Sequence, residues 1–264
     1  MDAFFSGRAL YGDDFDAGEI ARWMADEKEA YADLFGRAEG IEHYPYHQLN
    51  LQHGYRHLPD RPFPRVLGLG SAAGAEFLPI ADRIGELSIV EPSDAYPVTA
   101  IRGIPVEYVK PAVSGEIPFP DGSFDLVTAF GALHHVPNVS TVVRELCRCT
   151  APGGFALIRE PVVSMGDWTR PRAGLTRRER GIPMALLRRI AEEAGFEIVR
   201  ETLCVFRPLQ RLWKRLGRSA YDDAFATRLD RWLCALLAWN LRYHRTRWYQ
   251  KLGPTSLTLV LARR

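Results

Sequence analysis

Val66-Leu67-Gly68-Leu69-Gly70-Ser71-Ala72-Ala73-Gly74, followed by Ile89-Val90-Glu91-Pro92-Ser93, is the stretch whose reading decides the fold. An apolar run ends in a turn of small residues, and a second apolar run ends in an acid 21 positions after Gly70. A buried strand, a tight turn into a helix and a strand carrying a carboxylate are how a nucleoside-binding α/β domain begins. Small residues let the backbone approach the ligand, and the acid accepts hydrogen bonds from ribose hydroxyls.

The blocks downstream narrow this. Ile117-Pro118-Phe119-Pro120-Asp121-Gly122-Ser123-Phe124-Asp125-Leu126-Val127 sets a Pro/Asp/Gly turn before an apolar strand. Ala129-Phe130-Gly131-Ala132-Leu133-His134-His135-Val136 follows, then a helical stretch with Val142, Val143, Leu146 and Cys147 on one face. Pro152-Gly153-Gly154-Phe155-Ala156-Leu157-Ile158 opens another strand. In order and spacing these blocks resemble the class I S-adenosylmethionine-dependent methyltransferases, particularly those acting on small molecules, over roughly residues 65 to 160. An NAD-binding Rossmann domain would account for the first strand and Glu91 but for none of the three later blocks.

Composition sets the outer bounds. At 47% hydrophobic and 25% charged, the 264 residues can fill a globular core. No run of 18 apolar residues is present, so no membrane span is expected. Met1-Asp2-Ala3-Phe4-Phe5 lacks the basic region of a secretory leader, and Cys147, Cys149, Cys204 and Cys234 lack paired spacing. Both readings point to a cytoplasmic protein with reduced thiols and no structural metal. The net charge of +2 hides an asymmetry: residues 1–65 carry 12 acids against 7 bases, and residues 207–251 carry 11 bases against 3 acids. That basic block is a solvated face, an anionic-substrate site or a membrane-facing surface; no motif supports nucleic acid.

Along the chain, Asp16 with Glu19 reads as a helix start, and Ile20, Trp23, Met24, Glu27 and Tyr31 form a stripe at helical spacing towards Phe35. Alternating units follow: strand 65–69, helix 74–84, strands 87–91, 105–109 and 124–130, helix 139–149, strand 155–160. Met184 to Ala194 reads as a helix closed by Gly195, then a strand runs from Phe196 to near Val205, and Ser256–Leu261 is the last strand. The expected fold is α/β: a Rossmann-like, seven-stranded, mostly parallel sheet with helices on both faces. Its parts are an N-terminal helical cap (1–64), a cofactor-binding core (65–206), a helical lid insertion (207–253) and the final strand (254–264). Within the insertion Phe225, Leu229, Trp232, Leu233, Leu236, Leu237, Asn240 and Tyr243 recur at three- and four-residue intervals. Such a stripe is expected to bury, with Trp213 or Trp239 lining an acceptor cavity and the excess Arg favouring an anionic acceptor. A membrane-facing amphipathic helix is the rival reading.

The resemblance implies S-adenosylmethionine as cofactor and places its contacts. Gly70, Ser71, Ala72 and Gly74 would meet the methionine carboxylate, Glu91 the ribose, and Pro92, Ser93 and Ser114 the adenine. Phe130 and Gly131 would face the methionine portion, with Tyr55 reaching in from the N-terminal segment. Two departures stand out: the family usually has an acid where this chain has Gly68, and a Gly where it has Ala72. An adenine-binding Asp before the "PFPDGSFD" block is missing too. Tyr46, Asn50 or Tyr55 could compensate for the acid missing at Gly68. For catalysis the resemblance points to His134 or His135 as base, with Glu160 assisting at the end of the fifth strand; the alternative for Glu160 is a surface acid paired with Arg159. The implied activity is metal-independent methyl transfer to a small-molecule hydroxyl, on a sugar or specialised metabolite. The alternatives are N- or C-methylation and a methyltransferase-like fold that binds without methylating.

Overall fold

The computed structural model describes residues 1–28, 44–96, 98–168, 170 and 172–264; Tyr31 and Phe35 of the N-terminal stripe lie outside the described residues. Among the described residues eight strands form one sheet in the order β3-β4-β2-β1-β5-β6-β8-β7. They are β1 (Phe63–Leu69), β2 (Ile84–Val90), β3 (Ala100–Ile101), β4 (Ile104–Val109), β5 (Phe124–Phe130), β6 (Thr150–Pro161), β7 (Phe196–Cys204) and β8 (Ser256–Arg263). β4, β2, β1, β5 and β6 are mutually parallel, and β8 runs antiparallel between β6 and β7. The eighth strand, β3, is a two-residue addition that pairs with β4 across Arg102 and Gly103. Both turn residues have positive φ, +47° and +85°, the geometry of a tight hairpin turn. Arg at its first position is not a turn signal, so the sequence conceals the hairpin.

Both sheet faces are covered, as the near-continuous apolar strands require. Leu67, Leu69, Val127, Ala129, Ala156 and Ile158 meet the helices Val139–Cys149 and Met184–Glu193 on one face. Val66, Ile89, Leu126 and Leu157 meet Tyr55, Phe77 and Ile80 on the other. Each fully buried Val, Leu or Phe contributes about 1.5–3 kcal/mol relative to exposure. The alternation Val66/Leu67 and Leu126/Val127 therefore fixes the register of the two central strands.

The crossover after β1 departs from expectation. Instead of a helix over 74–84, residues Ala75–Arg83 form 3-10 turns, with a break at Ile80 (φ −130°) immediately after Pro79. Proline removes a backbone donor and its ring obstructs the preceding turn, so an α-helix does not propagate through it. At the N-terminus the capping box is present: Glu19 N–H donates to Asp16 Oδ1 at 2.8 Å and Asp16 N–H to Glu19 Oε2 at 3.0 Å. It starts the helix Ala17–Glu27, which lies against the turn that follows β5.

Candidate active site

Strand order reverses between β1 and β5, and in open α/β sheets ligands bind outside the carboxyl ends of the strands at such a point. Gly70 follows β1 and Gly131 follows β5, with φ of +62° and +72°. A Cβ at Gly70 would lie 2.8 Å from the Ala132 Cβ, so the two turns approach each other backbone to backbone and only glycine fits there. Ala72 stands at φ +46°, a left-handed conformation that costs an L-residue about 1–2 kcal/mol. It is held on both sides: its N–H donates to Glu91 Oε2 at 3.1 Å, and its carbonyl accepts from the Tyr108 hydroxyl at 2.9 Å. Glu91, buried at the end of β2, takes the Ser93 N–H on its other oxygen at 3.1 Å. Gly74 N–H closes the turn onto the Ser71 carbonyl.

A backbone cradle that any Cβ would fill, with a buried carboxylate beside it, fits the methionine and ribose portions of S-adenosylmethionine. The other sequence-derived positions divide. Pro92 and Ser93 adjoin Glu91, whereas Ser114 is exposed in a turn whose carbonyl accepts from Asn138. Phe130 turns its ring into the core under Arg159, leaving its backbone at the site. Tyr55 is fully buried, its hydroxyl committed to the Glu76 carbonyl at 3.2 Å.

An acid that sequence reasoning missed occupies the neighbourhood of Gly68. A Cβ at Gly68 would run into Ser71 Oγ and Phe77. Ser71 Oγ instead donates to Glu76 Oε1 at 3.0 Å, and the Thr128 hydroxyl, on the residue paired with Gly68 across β1 and β5, donates to the same oxygen at 2.7 Å. Burial pushes the Glu76 carboxyl up to about 7. The groups expected to compensate for Gly68 are engaged elsewhere: Asn50 accepts from Arg159 Nε at 3.1 Å, and Tyr46 lies under the Arg159 guanidinium at 4.5 Å. Glu76 is the buried acid at this place.

The second half of the site is a polar network at the β5 and β6 ends. Glu160 is fully buried; its Oε1 accepts from the Ala132 and Leu133 N–H groups at 2.9 and 2.7 Å, and its Oε2 meets His134 Nδ1 at 2.7 Å. The expected alternative, a surface acid paired with Arg159, is therefore corrected: adjacent strand residues point to opposite faces, and Arg159 reaches Asn50 and Tyr44 on the other side. His135 Nδ1 meets Glu27 Oε2 at 2.8 Å, and burial beside His134 holds the His135 imidazolium below its usual range. Thr176 links the two halves, donating to Glu27 Oε2 at 2.6 Å and lying 3.1 Å from Glu179 Oε2, while Glu179 Oε1 stands 3.9 Å from His134 Nε2.

Arg180 staples this loop. Fully buried, it donates to the carbonyls of Tyr11, Leu133, His134, Val136 and Pro137 at 2.8–3.4 Å. Of these partners only Glu27 left a trace in the sequence, as a charge within the inward stripe of its helix; Thr176, Glu179 and Arg180 sit in an aperiodic segment that offers no signal.

Tyr11, Trp168, Arg177 and Arg178 line a cavity of about 210 Å³ beside the network. Tyr243 and His244 of the insertion reach this region, Tyr243 packing on Trp168 and His244 on Phe5. The expected tryptophans do not line it: Trp239 is exposed, and Trp213 packs with Leu49 and Tyr221.

Residues 67–158 match the family model described as a methyltransferase domain. With the crevice, Glu91 and the sheet order in place, residues 67–158 form a methyltransferase domain, and the fold around it is that of S-adenosylmethionine-dependent methyltransferases. A curated relative, the 27-O-demethylrifamycin SV methyltransferase of Amycolatopsis mediterranei, is 31% identical over 131 residues, covering 44% of this chain and 47% of that protein. The chain thus spans less than half the length of that relative. An S-adenosylmethionine-dependent methyltransferase structure from Mesorhizobium loti shares the fold at TM-score 0.55 and 18% identity, covering 85% of this chain and 100% of that one. The cyclase SpnF shares it at TM-score 0.51 and 20% identity, with 77% of this chain and 76% of that one covered.

Proposed function

We propose that this protein transfers a methyl group from S-adenosylmethionine to a hydroxyl of a small molecule, with His134 as base. The observation that carries the reading is the Glu160–His134 pair at the carboxyl edge, beside the glycine that closes the cofactor crevice. A Cβ at Gly131 would lie 3.6 Å from His134 Cε1, so that edge of the ring faces the crevice. The cofactor supplies, when bound, an electrophilic methyl group on a sulfonium. Gly70, Ser71, Ala72 and Gly74 would hold its carboxylate end and Glu91 its ribose, and Glu76 would accept from its ammonium in place of the acid absent at Gly68.

The protein's own residues then arrange the acceptor. Displacement at a methyl carbon is in line, so positioning supplies much of the rate. Glu160 accepts from His134 Nδ1–H and leaves Nε2 as the basic nitrogen, which would take the proton of the acceptor hydroxyl as that oxygen becomes the nucleophile. Glu179 on the Nε2 side and Glu160 on the Nδ1 side stabilise the imidazolium that results. The mostly polar cavity walled by Tyr11, Trp168, Arg177 and Arg178 suits an anionic substituent on the acceptor. The substrate in the name of the Amycolatopsis relative, 27-O-demethylrifamycin SV, supports oxygen as acceptor.

Two measurements test this. Calorimetry with S-adenosylhomocysteine should show binding that Glu91→Ala weakens; Glu76→Gln should weaken it about tenfold or more while leaving 5′-methylthioadenosine, which lacks the amino-acid end, unchanged. Equal losses for both ligands would remove Glu76 from the ammonium role. Incubation with methyl-labelled cofactor and hydroxyl-bearing acceptors should transfer label and lose it in His134→Ala; undiminished turnover in that variant would exclude the base and favour a carbon or amine acceptor.

A further inference from the structure

The helix Ala224–Leu236 is mounted inside out. Its inward face carries Ala226, Thr227, Asp230 and Cys234, all buried, whereas Phe225, Trp232 and Leu236 point to solvent at 62, 76 and 71% exposure. The sequence expectation that this stripe buries fails at Phe225, Trp232 and Leu236, whereas Leu229, Leu233, Leu237 and Tyr243 are half-buried and Asn240 is buried; the reason for the outward three is polar. Asp230 accepts from the Val205 and Phe206 N–H groups at 2.9 and 2.6 Å and from the Tyr221 hydroxyl at 3.2 Å. That fixes the backbone leaving β7, where Val205 stands at φ +67°. The orientation of the helix is therefore set by a buried carboxylate, and Phe225, Trp232 and Leu236 are left outside.

In the turns after the helix, Trp239 and Trp248 are exposed as well, at 72 and 75%. Arg211, Lys214, Arg215, Arg218, Arg228, Arg231, Arg242, Arg247 and Lys251 of the same segment are exposed. Of the three acids between residues 207 and 251, Asp230 is buried and Asp223 is paired with Arg218 at 2.8 Å. Large exposed apolar patches mark interaction sites. Tryptophans framed by arginines, on a helix too short to cross a bilayer, match an interface where rings seat at headgroup level and cations meet anionic lipid.

We propose that the face built from Phe225, Trp232, Leu236, Trp239 and Trp248 docks the protein on the surface of an anionic lipid bilayer. Charge complementarity selects this occupant: a second copy would bring the same excess of arginine against itself, whereas anionic headgroups neutralise it. The insertion leaves β7 and returns to β8 at the carboxyl edge, and its Tyr243 packs on Trp168, which lines the cavity beside the His–Glu network, with His244 on Phe5. Docking through this segment brings the cavity region to the membrane surface, so a lipid-dissolved acceptor could enter without crossing water.

The experiment is flotation of the full chain with phosphatidylcholine vesicles, alone or with about a third phosphatidylglycerol. The wild type should float with the anionic vesicles, fail to float with neutral ones, and be released by high salt. Trp232→Ala/Leu236→Ala/Trp239→Ala, all at exposed positions, should keep its melting temperature and its S-adenosylhomocysteine affinity and lose binding at least about tenfold. Arg228→Gln and Arg231→Gln should each weaken anionic-vesicle binding on the order of fivefold. Absence of wild-type binding at low salt would overturn the proposal, as would full binding by the triple variant. A dimer in sedimentation velocity that the triple variant dissolves would assign the face to a second copy instead.

Discussion

Replacing Glu160 with Gln should reverse the tautomer of His134 while leaving the fold intact. The wild-type carboxylate accepts three hydrogen bonds without exposure to water: from Ala132 N–H, Leu133 N–H and His134 Nδ1, at 2.9, 2.7 and 2.7 Å. A Gln keeps a carbonyl oxygen for the two backbone donors, but its amide nitrogen can only donate to Nδ1. The proton then moves to Nε2, and the nitrogen assigned to take the acceptor proton is no longer basic. Loss of one charge-assisted hydrogen bond costs about 1.5–3 kcal/mol of stability. Loss of the base costs about 10²–10⁴ in kcat. Glu160→Ala strands all three donors and should cost on the order of 3–5 kcal/mol. Nitrogen NMR of the labelled imidazole reads the tautomer without any acceptor: Nδ1–H in the wild type, Nε2–H in the variant. An unchanged tautomer, or full turnover by Glu160→Gln with a reversed tautomer, would refute the assignment of His134 as base.

Three further perturbations test other parts of the argument. His53 is buried with both ring nitrogens lacking hydrogen-bond partners among the described residues; burial, with Arg231 and Arg56 nearby, lowers it to about 3. The folded state thus binds fewer protons than the unfolded chain below pH 6.5, so stability is lost as pH falls. This residue alone should cost about 2 kcal/mol at pH 5, and urea melts of His53→Leu at pH 7.5 and 5 should show that increment gone. Ala72→Gly should raise stability by up to about 1 kcal/mol by relieving the left-handed backbone; thermal denaturation without ligand checks it, and a fall would mean the alanine methyl packs usefully. Arg180→Lys keeps the charge but cannot reach carbonyls on both sides of the loop, so a loss of about 2–4 kcal/mol in chemical denaturation is expected, with His134 exchange-broadened in NMR spectra.

How much of this could be read beforehand depends on where the determining interaction lies. The central strands, the capped helix start and the pairing of Glu91 with the glycine turn rest on local pattern, and they appear where the pattern placed them. His134 and Glu160 were legible as residues through the resemblance, but their bond arises because β5 and β6 are parallel neighbours ending at one edge. Glu76 was invisible for a different reason. It lies one turn past the glycines, where the sequence reads as helix, and only the packing of Thr128 beneath Gly68 shows that a carboxylate fills that space. The helix Ala224–Leu236 makes the same point in reverse. Periodicity locates an apolar face, yet it carries no information on which way the face is turned. Here Asp230 decides, because its burial is compensated by two backbone donors and the Tyr221 hydroxyl at the end of β7. Turned outward, Asp230 would withdraw its carboxylate from the Val205 and Phe206 N–H groups, stranding two backbone donors at the end of β7. The polar anchor holds the helix as observed, and the outward tryptophans are left for something other than the core.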